Sequence, residues 1–334
     1  MKPINSIFFI LVVLPFLSAC TQDKPPETAQ IKLEFEKSRG RFSDSLYVYD
    51  IRSLLIDQGK LYVAEYENGI KLLDTDLNFI SCIGELGEGP EEIFITPQIQ
   101  IYRDTLYAIS SNKRAFMKFS KRGKFISELK YDREIYDTSF KYRFIVSNNG
   151  VFLNNKNLDF TLYNLSHQGK LKGGVPFSEP YNDINKAYVT SGAHLLKFED
   201  KILHLSDNKA EIRVFKQNEE VDRINLADFK PFKERLKFIK ANGKLGSTSY
   251  YNMIQDAYID STHEILYILS IAGENSPRSN AVSLLDLNND FQFLGSFNLN
   301  GDWYKTIAVE NSKFFAFNTV DSKIEKYEIE IENM

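Results

Sequence analysis

The sequence predicts an all-β fold, a six-bladed β-propeller of four-stranded antiparallel blades, and three observations predict it. One outline, an apolar or aromatic strand followed by a short turn and a second strand, recurs six times. With Leu61, Leu106, Phe152, Leu203, Leu266 and Phe314 as equivalent points, the spacings are 45, 46, 51, 63 and 48 residues, a period near the length of one blade. Each unit also has flanking strands in place, as in the first, "IRSLLI", "KLYVAEY", "GIKLLD" and "FISCIG". The last unit, by contrast, runs out after three strands at "KIEKYEIEIE", whereas "IKLEFE" at 31–36 sets Ile31, Leu33 and Phe35 against charges and has no blade of its own. It is expected to be the missing outer strand, so that the two ends close the ring and leave no open edge.

Before that strand the chain reads as an address. Lys2 precedes an apolar run from Ile4 to Leu17 that ends in small residues; it is too short for a comfortable membrane span of about 20 residues and has the form of an export signal. Its end, Leu17-Ser18-Ala19-Cys20, resembles the bacterial lipobox. The resemblance implies that Cys20 carries a fatty-acyl (palmitate-type) anchor and is the first mature residue. Two acyl chains hold a protein to a bilayer where one does not. Residues 1–20 are then a lipoprotein signal, 21–30 ("TQDKPPETAQ") a polar, proline-bearing tether, and 31–334 the propeller domain. Thr21, where the lipoprotein pattern places aspartate for inner-membrane retention, points to the outer membrane.

The formal net charge is -4, with 26% charged and 43% hydrophobic residues. That supplies a core and no basic excess to hold nucleic acid, which is excluded as a partner. With Cys20 given to lipid, Cys82 alone remains and no intramolecular disulfide can form. Inside "FISCI", Cys82 is expected to be a small buried thiol.

"GELGEGPEEIFITP", residues 84–97, joins the outermost strand of blade one to the innermost strand of blade two. Gly84, Gly87 and Gly89 are expected to give the turn backbone freedom, Pro90 and Pro97 to stiffen the crossing, and Ile93 or Phe94 to plug the gap between blades. Its glutamates are expected to be solvated. This segment resembles the inter-blade segment of NHL-type propellers. With the lipobox it resembles the exported, six-bladed TolB-like propeller lipoproteins of Bacteroidetes. The resemblance implies fold and location more than chemistry.

Several motifs fail on inspection. Asp74, Asp76, Asn78 and Glu85 match positions 1, 3, 5 and 12 of a calcium loop, but Phe79 stands where the loop needs glycine and strands flank it. His167, His194, His204 and His263 lack paired metal spacing. No nucleophile elbow and no phosphate-cradling loop appears, and one tryptophan, Trp303, is too few for sialidase-type boxes. No metal and no cofactor is expected.

A long insertion between blades four and five breaks the rhythm. Phe229, Phe232, Leu236 and Ile239 recur at helical spacing, Lys233, Arg235, Lys237 and Lys240 decorate the other side, and Gly243 ends the pattern. The expected short helix on a propeller face either caps the channel or offers its four cations as a partner surface. Two functions follow: a membrane-anchored binding or scaffolding module with a protein or small molecule on a propeller face, or a lactonase- or lyase-like enzyme. The enzyme needs carboxylates converging at the channel mouth, and first-strand residues would have to supply them.

Overall fold

The structure, a computed structural model, describes residues 29–66, 68–87, 89–94, 98–110, 113–131, 143–154, 160–176, 192–242, 252–272 and 278–332. Six four-stranded antiparallel sheets stand in a ring. Blade one is β2 (Ile51–Asp57), β3 (Lys60–Glu65), β4 (Ile70–Asp74) and β5 (Phe79–Ile83) from axis to rim. Blade two is β6 (Ile99–Tyr102), β7 (Thr105–Ser110), β8 (Ala115–Ser120) and β9 (Phe125–Lys130). Blade three is β10 (Arg143–Ser147), β11 (Gly150–Asn154), β12 (Phe160–Leu165) and β13 (Leu171–Pro176). Blade four is β14 (Ala193–Phe198), β15 (Lys201–Ser206), β16 (Glu211–Lys216) and β17 (Glu219–Asn225). Blade five is β18 (Ile254–Asp260), β19 (Ile265–Ala272), β20 (Arg278–Asp286) and β21 (Gln292–Asn298).

Blade six takes β22 (Tyr304–Glu310), β23 (Lys313–Asn318) and β24 (Lys323–Glu332) from the end of the chain and β1 (Gln30–Arg39) from its beginning. β1 pairs antiparallel with β24, Ile31 opposite Ile331 and Leu33 opposite Ile329. The closure expected from the orphan strand is therefore present, and it turns two exposed strand edges into one ladder.

The second strand of each blade is close to continuously apolar because both of its faces are covered by neighbouring blades. Each seam has its own apolar cluster: Tyr62, Ile93 and Leu106 between blades one and two, Phe116, Phe144 and Tyr163 between two and three, Phe152, Leu195 and Phe215 between three and four. Tyr267, Tyr304 and Phe314 fill the seam of five and six, and Leu54, Leu61 and Phe315 that of six and one.

The helix α1 (Lys230–Asn242) fills the remaining seam. Phe232, Leu236 and Ile239 join Leu266, Ile268 and Leu285 in the cluster between blades four and five. Phe229, just before it, stacks on Phe293 of β21 with ring centroids 5.1 Å apart. The apolar stripe thus wedges the helix between two blades, and no residue of α1 lines the channel.

Antiparallel order fixes two faces. Turns between the second and third strands, and the crossings from blade to blade, lie on what is here the upper face. Turns between first and second, and between third and fourth strands, lie on the lower face. All six inner strands therefore start at the upper mouth of the channel, and β1, replacing a fourth strand, starts on the lower face.

Candidate functional site

An innermost strand has one side of its backbone unpaired, and side chains of neighbouring inner strands supply the missing partners. Gln98 and Gln100 accept the backbone N–H groups of Phe144 and Val146, each at 2.6 Å. Asp256 Oδ2 accepts the N–H of Ile307 at 2.9 Å, and Thr306 Oγ1 that of Leu54 at 3.2 Å. Tyr258 reaches from blade five to blade one, where its hydroxyl accepts from the N–H of Ile56 (3.1 Å) and donates to its carbonyl (3.2 Å). Burial pushes the Tyr258 hydroxyl pKa far up, so it stays a donor. The channel these strands enclose has a volume of about 630 Å³.

Its upper mouth gathers charge. His194, 4% exposed at the start of β14, lies between two carboxylates: Nε2 is 3.2 Å from Asp207 Oδ1 and Nδ1 is 3.3 Å from Asp256 Oδ1. Arg143 Nε stands 3.4 Å from the same Nδ1. Burial alone would lower the His194 pKa, but the hydrogen bonds to Asp207 and Asp256 outweigh it and hold the pKa raised. The two carboxylates thus favour the protonated ring, and Arg143, whose Nε points at Nδ1, opposes them. Burial would likewise raise Asp256, yet the bond to His194 holds its carboxyl below the usual range.

A second cluster faces the first. Lys305 Nζ donates to Asp50 Oδ1 at 2.5 Å, and Arg52 Nη2 to Asp50 Oδ2 at 2.6 Å. Burial first, and then the nearby Arg52 and Arg143, hold the Lys305 pKa below its ordinary value despite Asp50. Charged side chains from blades one, three, four, five and six thus meet at one mouth. Among the described residues no group of three or more His, Cys, Asp or Glu is arranged to hold a metal.

The residues singled out in the sequence lie elsewhere. In the crossing loop Gly84 has φ 68°, and a Cβ there would stand 2.4 Å from Ile93, the fully buried plug of the seam. Gly87 has φ 155°, and its Cβ would stand 2.0 Å from Glu92 Oε2. Gly89 departs from expectation: it is not left-handed, and a Cβ there would meet only the carboxylate end of Glu92, which accepts the Gly89 N–H at 2.5 Å. Glu92 is accordingly a strut of the loop and not one of four solvated glutamates. Lys113 ties the segment down through the carbonyls of Gly89 and Glu92, and Pro90 sits at the exposed tip.

On α1, Lys233, Lys237 and Lys240 are exposed, but Arg235 is 4% exposed, with Nη2 3.5 Å from the carbonyl of Asn252. The expected four-cation surface is a three-lysine surface, since Arg235 sits on the apolar side of the stripe. Cys82 also departs from expectation: it is exposed, because β5 is the outermost strand of blade one and has no sheet beyond it. Asp74 caps its own turn, accepting the N–H groups of Asp76 (2.9 Å) and Asn78 (2.7 Å). His194 and His204 are on opposite faces of their hairpin, since His194 pairs with Leu205 and Leu195 with His204. Cys20, the tether 21–28, Pro97 and Glu88 lie outside the described residues.

No protein-family model matches the chain, and no curated protein matches it in sequence. Solved structures do share its architecture. A protein of Bacteroides fragilis described as exported is 12% identical with a TM-score of 0.62, over 91% of this chain and 96% of the other. A DUF4221-family member from Bacteroides vulgatus is 13% identical with a TM-score of 0.60, over 92% and 100%. Its fold is theirs. A streptogramin B lyase structure is 11% identical with a TM-score of 0.52, over 90% and 98%. At such identities the likeness is one of fold.

Proposed function

We propose that the protein is an exported, lipid-anchored binding module of the outer membrane whose ligand seat is the upper mouth of the channel. The observation that carries this reading is that, among the described residues, three carboxylates at the mouth lie against basic side chains: Asp50 against Arg52 and Lys305, Asp207 and Asp256 against His194. Carboxylates so engaged orient a polar ligand well and are themselves poor bases. The lipobox supports the anchor, and among the described residues no helix is long and apolar enough to cross a membrane.

Native mass spectrometry of the protein isolated from its own cells tests the seat. A small molecule retained by the wild type and lost from Arg52→Ala/Lys305→Ala is expected; retention by both would place the ligand elsewhere. Separately, Cys20→Ser is expected to release the protein from the membrane fraction. Unchanged association, with no acyl group on the wild-type Cys20 peptide, would overturn the anchor.

His194 favours a second reading, a lyase-like enzyme. A histidine with a raised pKa, lining the channel beside two carboxylates, offers proton-transfer chemistry to whatever the channel admits. Conversion of the recovered ligand by wild type but not by His194→Gln would establish that reading over simple binding.

A further inference from the structure

The lower face carries a second concavity, between blades two and three. About 550 Å³ in volume, it is lined by Tyr102, Arg103, Thr105, Tyr107, Asn148 and His167, none of them a carboxylate. Cations converge on its aromatic walls: Arg103 lies 5.2 Å and Lys197 Nζ 5.6 Å from the ring centre of Tyr102, and Lys118 Nζ 5.6 Å from that of Tyr107. Asn148 fixes the floor, its Oδ1 accepting from Arg103 Nη2 at 3.0 Å and from the Tyr102 hydroxyl, its backbone carbonyl from His167 Nε2 at 3.2 Å.

Around this hollow Arg122, Lys124, Lys170 and Lys172 are exposed. Lys121 is already paired with Asp57 at 2.7 Å. In the turns that rim it, 102–105, 120–125, 147–150 and 165–172, Asp104 is the single acidic residue. Elsewhere on the same face the turns are acidic, with Asp74 and Asp76 in blade one and Asp286 and Asp290 in blade five. Of these turns, those of blades two and three carry the basic excess. β1 starts on this face in blade six, across the ring from blade three. Nine residues separate Cys20 from Gln30, and the ten steps between them can span at most about 35 Å, which keeps the ring near the bilayer without choosing which sector meets it.

We propose that the basic hollow of blades two and three seats the phosphate-bearing head groups of an anionic bilayer, docking the propeller lower face down with its channel mouth turned away from the membrane. The docking rests on the anchored reading for its proximity to lipid and on the charge pattern for its direction.

Hydrogen exchange of the full, acylated chain on phosphatidylglycerol and on phosphatidylcholine vesicles tests it. Exchange in turns 103–105 and 166–171 is expected to slow about fivefold more on the anionic vesicles, an effect lost at about 0.5 M salt. Turns 74–78 and 286–290 should not respond. Arg122→Glu, Lys124→Glu, Lys170→Glu and Lys172→Glu together should abolish the difference while leaving the melting temperature unchanged, since all four side chains are exposed. Equal exchange on both vesicles, or protection of the upper-face turns instead, would overturn the proposal. So would the same protection from inorganic phosphate alone, which would assign the hollow to a soluble phosphate compound. Failure of the anchor shows differently, as an unacylated Cys20 and no association with neutral vesicles, and the anionic comparison still decides the docking.

Discussion

Two buried histidines in one blade respond to acid in opposite directions. His204, 5% exposed and packed edge-on against Phe215, has neither ring nitrogen hydrogen-bonded among the described residues. Burial, with Arg213 nearby, lowers its pKa to about 4. The unfolded chain, with an ordinary value of about 6.5, binds the proton first, so stability is lost as pH falls from about 6.5 towards 4. The loss reaches about 3 kcal/mol. His204→Phe is expected to flatten the pH dependence of melting in that window; an unchanged slope would place the acid sensitivity elsewhere. His194 has the opposite sign, because its folded pKa is raised. Its contribution is full below the unfolded value and fades as pH rises through the folded one. His194→Gln takes from Asp207 and Asp256 the basic ring packed between them, and denaturant unfolding should show a loss of about 3 kcal/mol. Neither role was legible in the sequence: strand alternation places a side chain on a face but does not say which distant carboxylates meet it there.

At the scale of the element, the crossing loop shows what sequence can and cannot say. Its course from rim to axis, and Ile93 as its plug, follow from repeat register and composition. That Glu92 is a strut while its neighbours are solvated does not, because four glutamates look alike until the chain turns back on itself. Gly84→Val combines a left-handed backbone with a collision against Ile93, and should lower stability by about 2–4 kcal/mol. Glu92→Gln keeps the shape but weakens the bond to the Gly89 N–H, and should cost about 1 kcal/mol. Thermal melts of the two variants check the ranking; a larger loss in Glu92→Gln would mean the carboxylate, not the glycine geometry, governs the crossing. In α1 the helical period identified the apolar stripe correctly. Arg235 escaped because a long side chain at the edge of a stripe can turn inward and find a carbonyl, which spacing does not encode.

The whole ring was legible because the signal repeats six times: strand outline, period and the unpaired terminal strand all agree on one closed architecture. The channel mouth was not, since its charged residues come from five blades and no two blades share a motif. Deleting residues 21–28 should leave the melting temperature unaltered, since the bonds of this end begin with Ala29 to Leu294 and Gln30 opposite Glu332. Deleting 31–36 removes most of the ladder with β24 and should lower it by ten degrees or more, about what a large exposed edge costs in a fold of this size. Equal melting of the two truncations would refute closure by β1. That ladder also imposes a timetable. Lys32 meets Glu330 across 298 residues, so the first strand made has no partner until almost the last residue has followed it. On the exported reading proposed above, a chain crossing a membrane unfolded is thereby kept from locking shut too early. Shortening β24 should accordingly delay or prevent the final protease-resistant step while leaving the earlier blades able to assemble in sequence.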